Sequence, residues 1–182
     1  MKLRRVNPSS IQVPEVRVTA RMDEDTATQF QASVATAGID EPIKVYEVEG
    51  KLWLSDGKHR LQEALRLALP LVDVYVREGT MVDVLCNNMM SGHLRGKHPV
   101  SEMVKVIEQL YAVHKIGIED IVKRTGLTQA YVENLILVSE LTPMCRAYLD
   151  EDKIKPFAAF ALTRIKDPAL QETVCMQQAQ YA

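Results

Sequence analysis

Aromatic side chains are scarce in this chain: one Trp, six Tyr and three Phe make up 5% of its 182 residues. A protein that stacks single-stranded bases on exposed rings needs a richer supply, so that class of nucleic-acid binder is disfavoured. Cysteine is sparse too. Cys86, Cys145 and Cys175 are widely spaced, odd in number and form no C-x-x-C pair. That argues against a disulfide framework and for a reducing compartment. There is no cationic excess. The net charge is −2 and the isoelectric point is near 6.1, so any nucleic acid must be held by a local patch. Long apolar runs are missing, and nothing approaches the ~20 residues of a membrane span. The basic Met1–Arg5 stretch is followed by Asn7-Pro8-Ser9-Ser10 where a signal peptide needs an apolar stretch. The expectation is a soluble, cytoplasmic protein with no membrane partner.

What is present is enough apolar material, 47% of residues, for one domain or two small ones. Internal repeats and low-complexity segments are not visible. Asp23 to Ala37 reads as a helix closed by Gly38, with Phe30, Val34 and Ala37 on one face. Ile43 to Val48 and Leu52 to Leu54 read as strands joined at Glu49-Gly50. Leu61, Ala64, Leu65 and Ala68 form a helical stripe that Leu69-Pro70 stops. Val72, Val74 and Val76 alternate as a strand, and Thr80-x-x-Asp83 caps a helix running to about Met90.

The texture changes at Ser91 to Pro99, where two glycines, a proline and four potentially cationic residues suggest a linker. Beyond it everything reads as helical. Val100, Met103, Val104, Ile107, Leu110 and Tyr111 make a broad apolar face, and Thr142-Pro143 and Asp167-Pro168 look like helix starts. The fold class is therefore α+β: a small mixed-sheet domain over residues 1–97, then an all-helical domain over residues 98–182.

The stretch richest in chemistry is Ser55-Asp56-Gly57-Lys58-His59-Arg60, between a strand and a helix. Glycine allows a sharp turn and a close approach of ligand to backbone. Lys58, His59 and Arg60 add donors at a helix start, where free N–H groups and the helix dipole favour anions. The same residues also suit a tight turn carrying a solvated basic cluster. A Walker loop is excluded, because His59 follows Lys58 and Gly50 is too far upstream. Asn87-Asn88 lies near a helix end with Arg95 beyond it. Amides there can ligate phosphate, ribose or a metal-bound water, or simply end a helix.

Ile118 to Val138 reads as helix-turn-helix. Ile118–Arg124 forms the first helix, Thr125-Gly126-Leu127 the turn, and Thr128 caps a second helix from Gln129. The exposed side of that second helix would carry Gln129, Ala130, Glu133 and Asn134. Gln and Asn can read adenine, but no Arg is present to read guanine and Glu133 repels phosphate. A helical corner in an all-α domain fits the same residues. His59, His93, His98 and His114 make no zinc set, since no Cys pair joins them. Met81, Met89 and Met90 read as core or edge fillers.

The order of these features resembles the ParB family of partition proteins. Arg17, the helix ending near Gly38 and Glu41-Pro42-Ile43-Lys44-Val45 resemble the family's opening. Asp56-Gly57-Lys58-His59-Arg60 resembles its G-x-x-R phosphate motif, and Asn87-Asn88 its Glu-Asn motif. His98-Pro99-Val100-Ser101-Glu102 is similar to the start of the family's next helix, and Ala161-Leu162 and Gln171 to its closing helices. The resemblance implies a ParB/sulfiredoxin-like N-terminal domain that binds CTP with Mg2+, a helix-turn-helix that binds double-stranded DNA, a homodimer that closes as a clamp, a partition ATPase as partner, and a nucleoid-associated location. By that resemblance Gly57, Lys58, His59 and Arg60 hold the triphosphate, Asn88 meets phosphate, Arg95 stands for the Arg that follows, and Asn87 is a weak metal ligand. Lys123, Arg124, Thr128, Gln129 and Asn134 contact DNA.

Three departures qualify this. The recognition helix lacks the usual basic residues. The sequence ends at Ala182 with no room for the family's C-terminal dimerisation domain, so the expectation is either a truncated chain or dimerisation by another route. Asn87 stands where the family has Glu, and a neutral amide is a poor magnesium ligand and no base. Two alternatives use similar elements: a ParB-like free serine kinase, with Glu15 as a conceivable base, and a helix-turn-helix regulator without a nucleotide switch. A sulfiredoxin is excluded because Lys58 replaces its Cys nucleophile. The Asn87 departure predicts slow or absent CTP hydrolysis. Phosphate release by the pure protein checks it, and brisk turnover that disappears in Arg60→Ala would overturn it.

Overall fold

The computed structural model describes residues 1–95 and 99–181, with the side chain of Arg95 outside the description. The expected boundary near 97/98 and the Gly96-Lys97-His98 part of the expected linker also lie outside it. The chain divides into two compact units, Met1–Lys97 and His98–Ala182.

The first unit is built on a five-stranded mixed sheet in the order β1-β5-β3-β4-β2. The strands are β1 Lys2–Val6, β2 Ile11–Gln12, β3 Ile43–Val48, β4 Lys51–Asp56 and β5 Val72–Glu78. β3 and β4 form an antiparallel hairpin in which Val48 faces Lys51. Its two turn residues, Glu49 (φ 51°) and Gly50 (φ 76°), both take the left-handed conformation that matches the strand twist. β5 lies parallel to β3, and β2 parallel to β4. Neither β1 nor β2 is visible in the sequence. Lys2-Leu3-Arg4-Arg5 reads as a charged tip, and it becomes a strand because β5 offers it a ladder with Asp73 directly opposite Arg5. That pair closes at 3.0 Å.

Three helices complete the unit: α1 Glu24–Ala37, α2 Lys58–Arg66 and α3 Met81–Arg95. α1 is capped by Asp23, which accepts from the Thr26 N–H at 2.8 Å, and it stops at Gly38 (φ 80°). Of its expected apolar face only Val34 is buried. Along α2, Leu61 and Ala64 enter the core with Ile43, Val45, Leu54 and Val74, whereas Leu65 is 47% exposed. The stripe is narrower than its spacing suggests because α2 is only nine residues long and covers the sheet with one edge.

α3 runs through Ser91 and Gly92, where glycine suggests a linker. Gly92 is there for another reason. A Cβ on it would stand 2.5 Å from Val18 Cγ1, so the helix needs a bare backbone where the chain passes across it.

In the second unit, α4 Val100–Glu108 passes into a wider turn over Gln109–Val113. It is followed by α5 Ile118–Thr125, α6 Gln129–Ser139, α7 Pro143–Asp150, α8 Pro156–Leu162 and α9 Pro168–Ala179. Met103, Ile107, Leu110, Ile121, Val132 and Leu135 are fully buried, and Tyr111, expected on the apolar face, is 43% exposed. Proline opens α7, α8 and α9, and Thr142 and Asp167 cap two of them.

The closing helices are joined by a single amide. Buried Gln171 accepts from the Thr142 N–H at 3.0 Å and donates to the carbonyls of Leu162 at 3.2 Å and Ile165 at 3.0 Å. Cys145 and Cys175 are buried together on α7 and α9. Burial, and then the hydrogen bond to Cys145, push the Cys175 thiol up to about 12, which leaves it inert at neutral pH.

Leu61 is 1% exposed at the contact of α2 with the sheet. Leu61→Ala is expected to destabilise the N-terminal unit by about 2–5 kcal/mol, read from the shift of its urea unfolding midpoint.

Candidate functional site

β4 ends at Asp56 and α2 begins at Lys58, so the whole reversal is made by Gly57. Its φ of 101° and ψ of 33° are left-handed, a conformation costly for other residues. A Cβ there would also stand 3.2 Å from the Arg60 guanidinium. No side chain caps the first turn of α2, which leaves its leading N–H groups available to an anion.

The three cations of the corner do different things. Lys58 is partly exposed, lines the cavities on both sides of the turn and has no ion-pair partner among the described residues. The His59 ring nitrogen Nε2 lies 3.0 Å from the Ala20 carbonyl, which ties the 17–20 segment to α2. Arg60 is nine-tenths buried and already engaged. Its Nη1 donates to the carbonyls of Glu41 at 2.8 Å and Pro42 at 2.9 Å and pairs with Glu41 Oε2 at 2.8 Å. Its Nη2 lies 3.8 Å from Asp56 Oδ2. Arg60 is thus a strut between the corner and the chain entering β3, and Lys58 is the more exposed cation of the pair.

Two openings flank the corner. The larger is a cavity of about 400 Å3 between α1, the chain before β3 and the corner, bordered by Phe30, Val34, Ile39, Glu41, Lys58 and His59. That volume is within the usual range for small-molecule pockets, ~300–1,000 Å3. The smaller, about 20 Å3, lies among Arg17, Thr19, Lys58, His59, Asn88 and Ser91. It has room for about one water.

Asn88 is buried behind this smaller cleft. Its Oδ1 accepts from the Val18 N–H at 2.6 Å, and its Nδ2 donates to the carbonyls of Val18 at 2.9 Å and Ser55 at 3.1 Å. The amide pins the 17–20 segment and the end of β4 to α3, one turn from Gly92. Asn87 is partly exposed and borders neither opening. Among the described residues no group of three or more His, Cys, Asp and Glu could hold a metal ion. Glu15 is exposed and borders neither opening, so it is not placed as a base.

Arg17 and Thr19 are wall residues that chemical motif reasoning did not single out. Arg17 Nε donates to Thr19 Oγ1 at 3.2 Å. For Arg17 the available signal was its place in the family resemblance; Thr19 carried none.

In the second unit, α5 and α6 meet at Gly126, whose φ of 71° makes the turn. Lys123, Arg124, Thr128, Gln129 and Asn134 are all exposed, four of them clustered around that turn. Arg124 pairs with Asp120 at 2.9 Å, one helical turn back. Thr128 Oγ1 accepts from the Tyr131 N–H at 3.3 Å, which fixes the start of α6.

Residues 1–90 match the model of the ParB N-terminal domain. The chain belongs to the ParB family. Among curated relatives, a nucleoid occlusion protein of Halalkalibacterium halodurans is 26% identical over 153 residues, covering 82% of this chain and 53% of the relative. The chain thus spans about half the length of that relative. The C-terminally truncated chromosome-partitioning protein ParB from Caulobacter crescentus, solved in complex with the centromeric parS site, shares the fold. The TM-score is 0.60 at 21% identity, over 96% of this chain and 92% of that one. The same protein in complex with CTP-gamma-S matches with a TM-score of 0.46, at 21% identity over 96% and 99% of the two chains.

In this ParB N-terminal domain, the Val18–Gly92 contact lies in the wall of the smaller cleft. Gly92→Ala is expected to cost about 1–3 kcal/mol through overpacking. Val18→Ala should recover most of that loss in the double variant, as thermal unfolding of the four proteins of the cycle will show.

Proposed function

We propose that this ParB-family chain is a nucleotide-switched DNA-binding protein. Its N-terminal unit binds a nucleoside triphosphate at the Gly57–Arg60 corner, and its helical unit binds double-stranded DNA at the α5–α6 corner. The observation that carries the reading is the left-handed Gly57, which opens α2 with no side chain over its leading N–H groups and with Lys58 facing the flanking openings. Backbone donors, a helix dipole and one uncommitted ammonium are what a phosphate chain needs.

The nucleotide is CTP, by membership of the family. Mg2+ is held mainly by the phosphates, because magnesium in such sites keeps several waters and takes few protein ligands. That agrees with the lack of a protein metal cluster among the described residues. Asn87 contributes only weakly. Asn88 acts on the phosphates through the wall it positions, and Arg60 by holding the corner. Nucleotide binding favours a closed homodimer by its differential affinity for that state. A partition ATPase and association with the nucleoid follow from the same reading.

On the helical unit, Lys123 and Arg124 contact phosphates, while Thr128, Gln129 and Asn134 approach the groove. The ParB of Caulobacter crescentus that shares this fold was solved on its parS site. That likeness supports duplex DNA as the partner.

Calorimetric titration with CTP, ATP, GTP and ADP, each with Mg2+, tests the nucleotide half. CTP alone is expected to bind, and Lys58→Ala should weaken it without lowering the melting temperature. Preference for ATP or ADP would favour a kinase, and no binding at all would make the corner purely structural. For the DNA half, the Lys123→Ala/Arg124→Ala double variant should reduce the slope of log K against log salt by about two. An unchanged slope would remove both residues from the interface.

A further inference from the structure

Helix α6 has no Lys or Arg anywhere in its length. It buries Val132, Leu135, Ile136 and Val138 and presents Gln129, Ala130, Glu133, Asn134 and Leu137 to solvent. Those five fall at i, i+1, i+4, i+5 and i+8, which is one continuous stripe. Within it, Gln129 Nε2 donates to Glu133 Oε1 at 2.8 Å. The bond holds both side chains along the helix and leaves Glu133 Oε2 as an outward acceptor. Asn134 has no hydrogen-bond partner among the described residues, so its amide offers a donor and an acceptor together.

We propose that α6 reads one C·G base pair from its cytosine edge through Glu133, flanked by A·T pairs read by Asn134 and Leu137. The inference rests on the reading of the α5–α6 corner as a major-groove binder. A carboxylate can only accept hydrogen bonds, and the major groove offers donors only at cytosine N4 and adenine N6. Adenine places its N7 acceptor beside N6, where it opposes a second carboxylate oxygen, so cytosine is the better partner. Guanine presents two acceptors and is repelled. The free amide of Asn134 complements adenine N6 and N7, and the apolar Leu137 accepts a thymine methyl. The same carboxylate repels phosphate, so the stripe contributes selectivity rather than general affinity.

Selection from a randomised duplex library tests this, using the full chain with and without CTP and Mg2+. The expected site has one C·G pair between A·T pairs, and inverting it to G·C should weaken binding about 5- to 150-fold. Glu133→Gln should relax preference at that position alone, and Glu133→Arg should reverse it toward guanine. Glu133 is exposed, so matching circular dichroism melts will show that all three proteins are folded. An enriched site whose every position survives Glu133→Gln unchanged would overturn the inference while leaving DNA binding in place. Failure to enrich any sequence under either condition would overturn the DNA reading itself, and this inference with it.

Discussion

The N-terminal unit is organised around a buried guanidinium. Arg60 enters from the first turn of α2 and reaches the carbonyls of Glu41 and Pro42, the Glu41 carboxylate and Asp56. Removed from water, a guanidinium must find acceptors, and here the acceptors are the chain that feeds β3 and the residue that ends β4. Satisfying Arg60 therefore fixes the spacing between the central hairpin and α2. Glycine suits the turn beside Arg60, because a Cβ at position 57 would stand 3.2 Å from the guanidinium. The geometry of the corner follows from a charge that is already engaged by backbone carbonyls and carboxylates.

A second constraint works from the opposite side. The Asn88 amide uses its oxygen and its nitrogen on the backbone of Val18, with a further bond to Ser55. A neutral amide can do this in a buried place where a carboxylate would lack a donor's role and carry a desolvation penalty. Gly92, one turn on, brings the same segment against α3. Hydrogen bonds and close contact thus hold the wall containing Arg17 and Thr19 against α3. The helical unit repeats the device with Gln171, whose amide joins the starts and ends of three helices.

Much of this was legible beforehand where the signal is local. Gly38, Gly50, Gly57 and Gly126 all take positive φ, at the turns their sequence contexts indicate. Thr128, Thr142, Asp23 and Asp167 cap the helices they precede. Caps and turns are decided by a few neighbouring residues, so they survive the move from sequence to structure. The alternation of Val72, Val74 and Val76 and the spacing of Met103, Ile107 and Leu110 likewise mark buried faces. The Lys58–Arg60 cluster was visible as a group, but the division of labour within it was not. Lys58 and Arg60 are both cations in the sequence, and they differ because Lys58 stays partly exposed while Arg60 is buried against two carbonyls.

The sequence by itself determined the central strands and most of the helices, because each depends on hydrogen bonds and periodicities within a few residues. Only the tertiary structure decided that Lys2–Val6 is a strand, that Gly92 is a packing contact rather than a linker, that Leu65 faces solvent, and that Asn88 is a backbone pin. Each of these depends on a partner far along the chain: β5 for the first, Val18 for the second and fourth, and the narrow seat of α2 on the sheet for the third. Such contacts leave no periodic mark, since what they require is the absence or neutrality of a side chain at the one place where two segments meet.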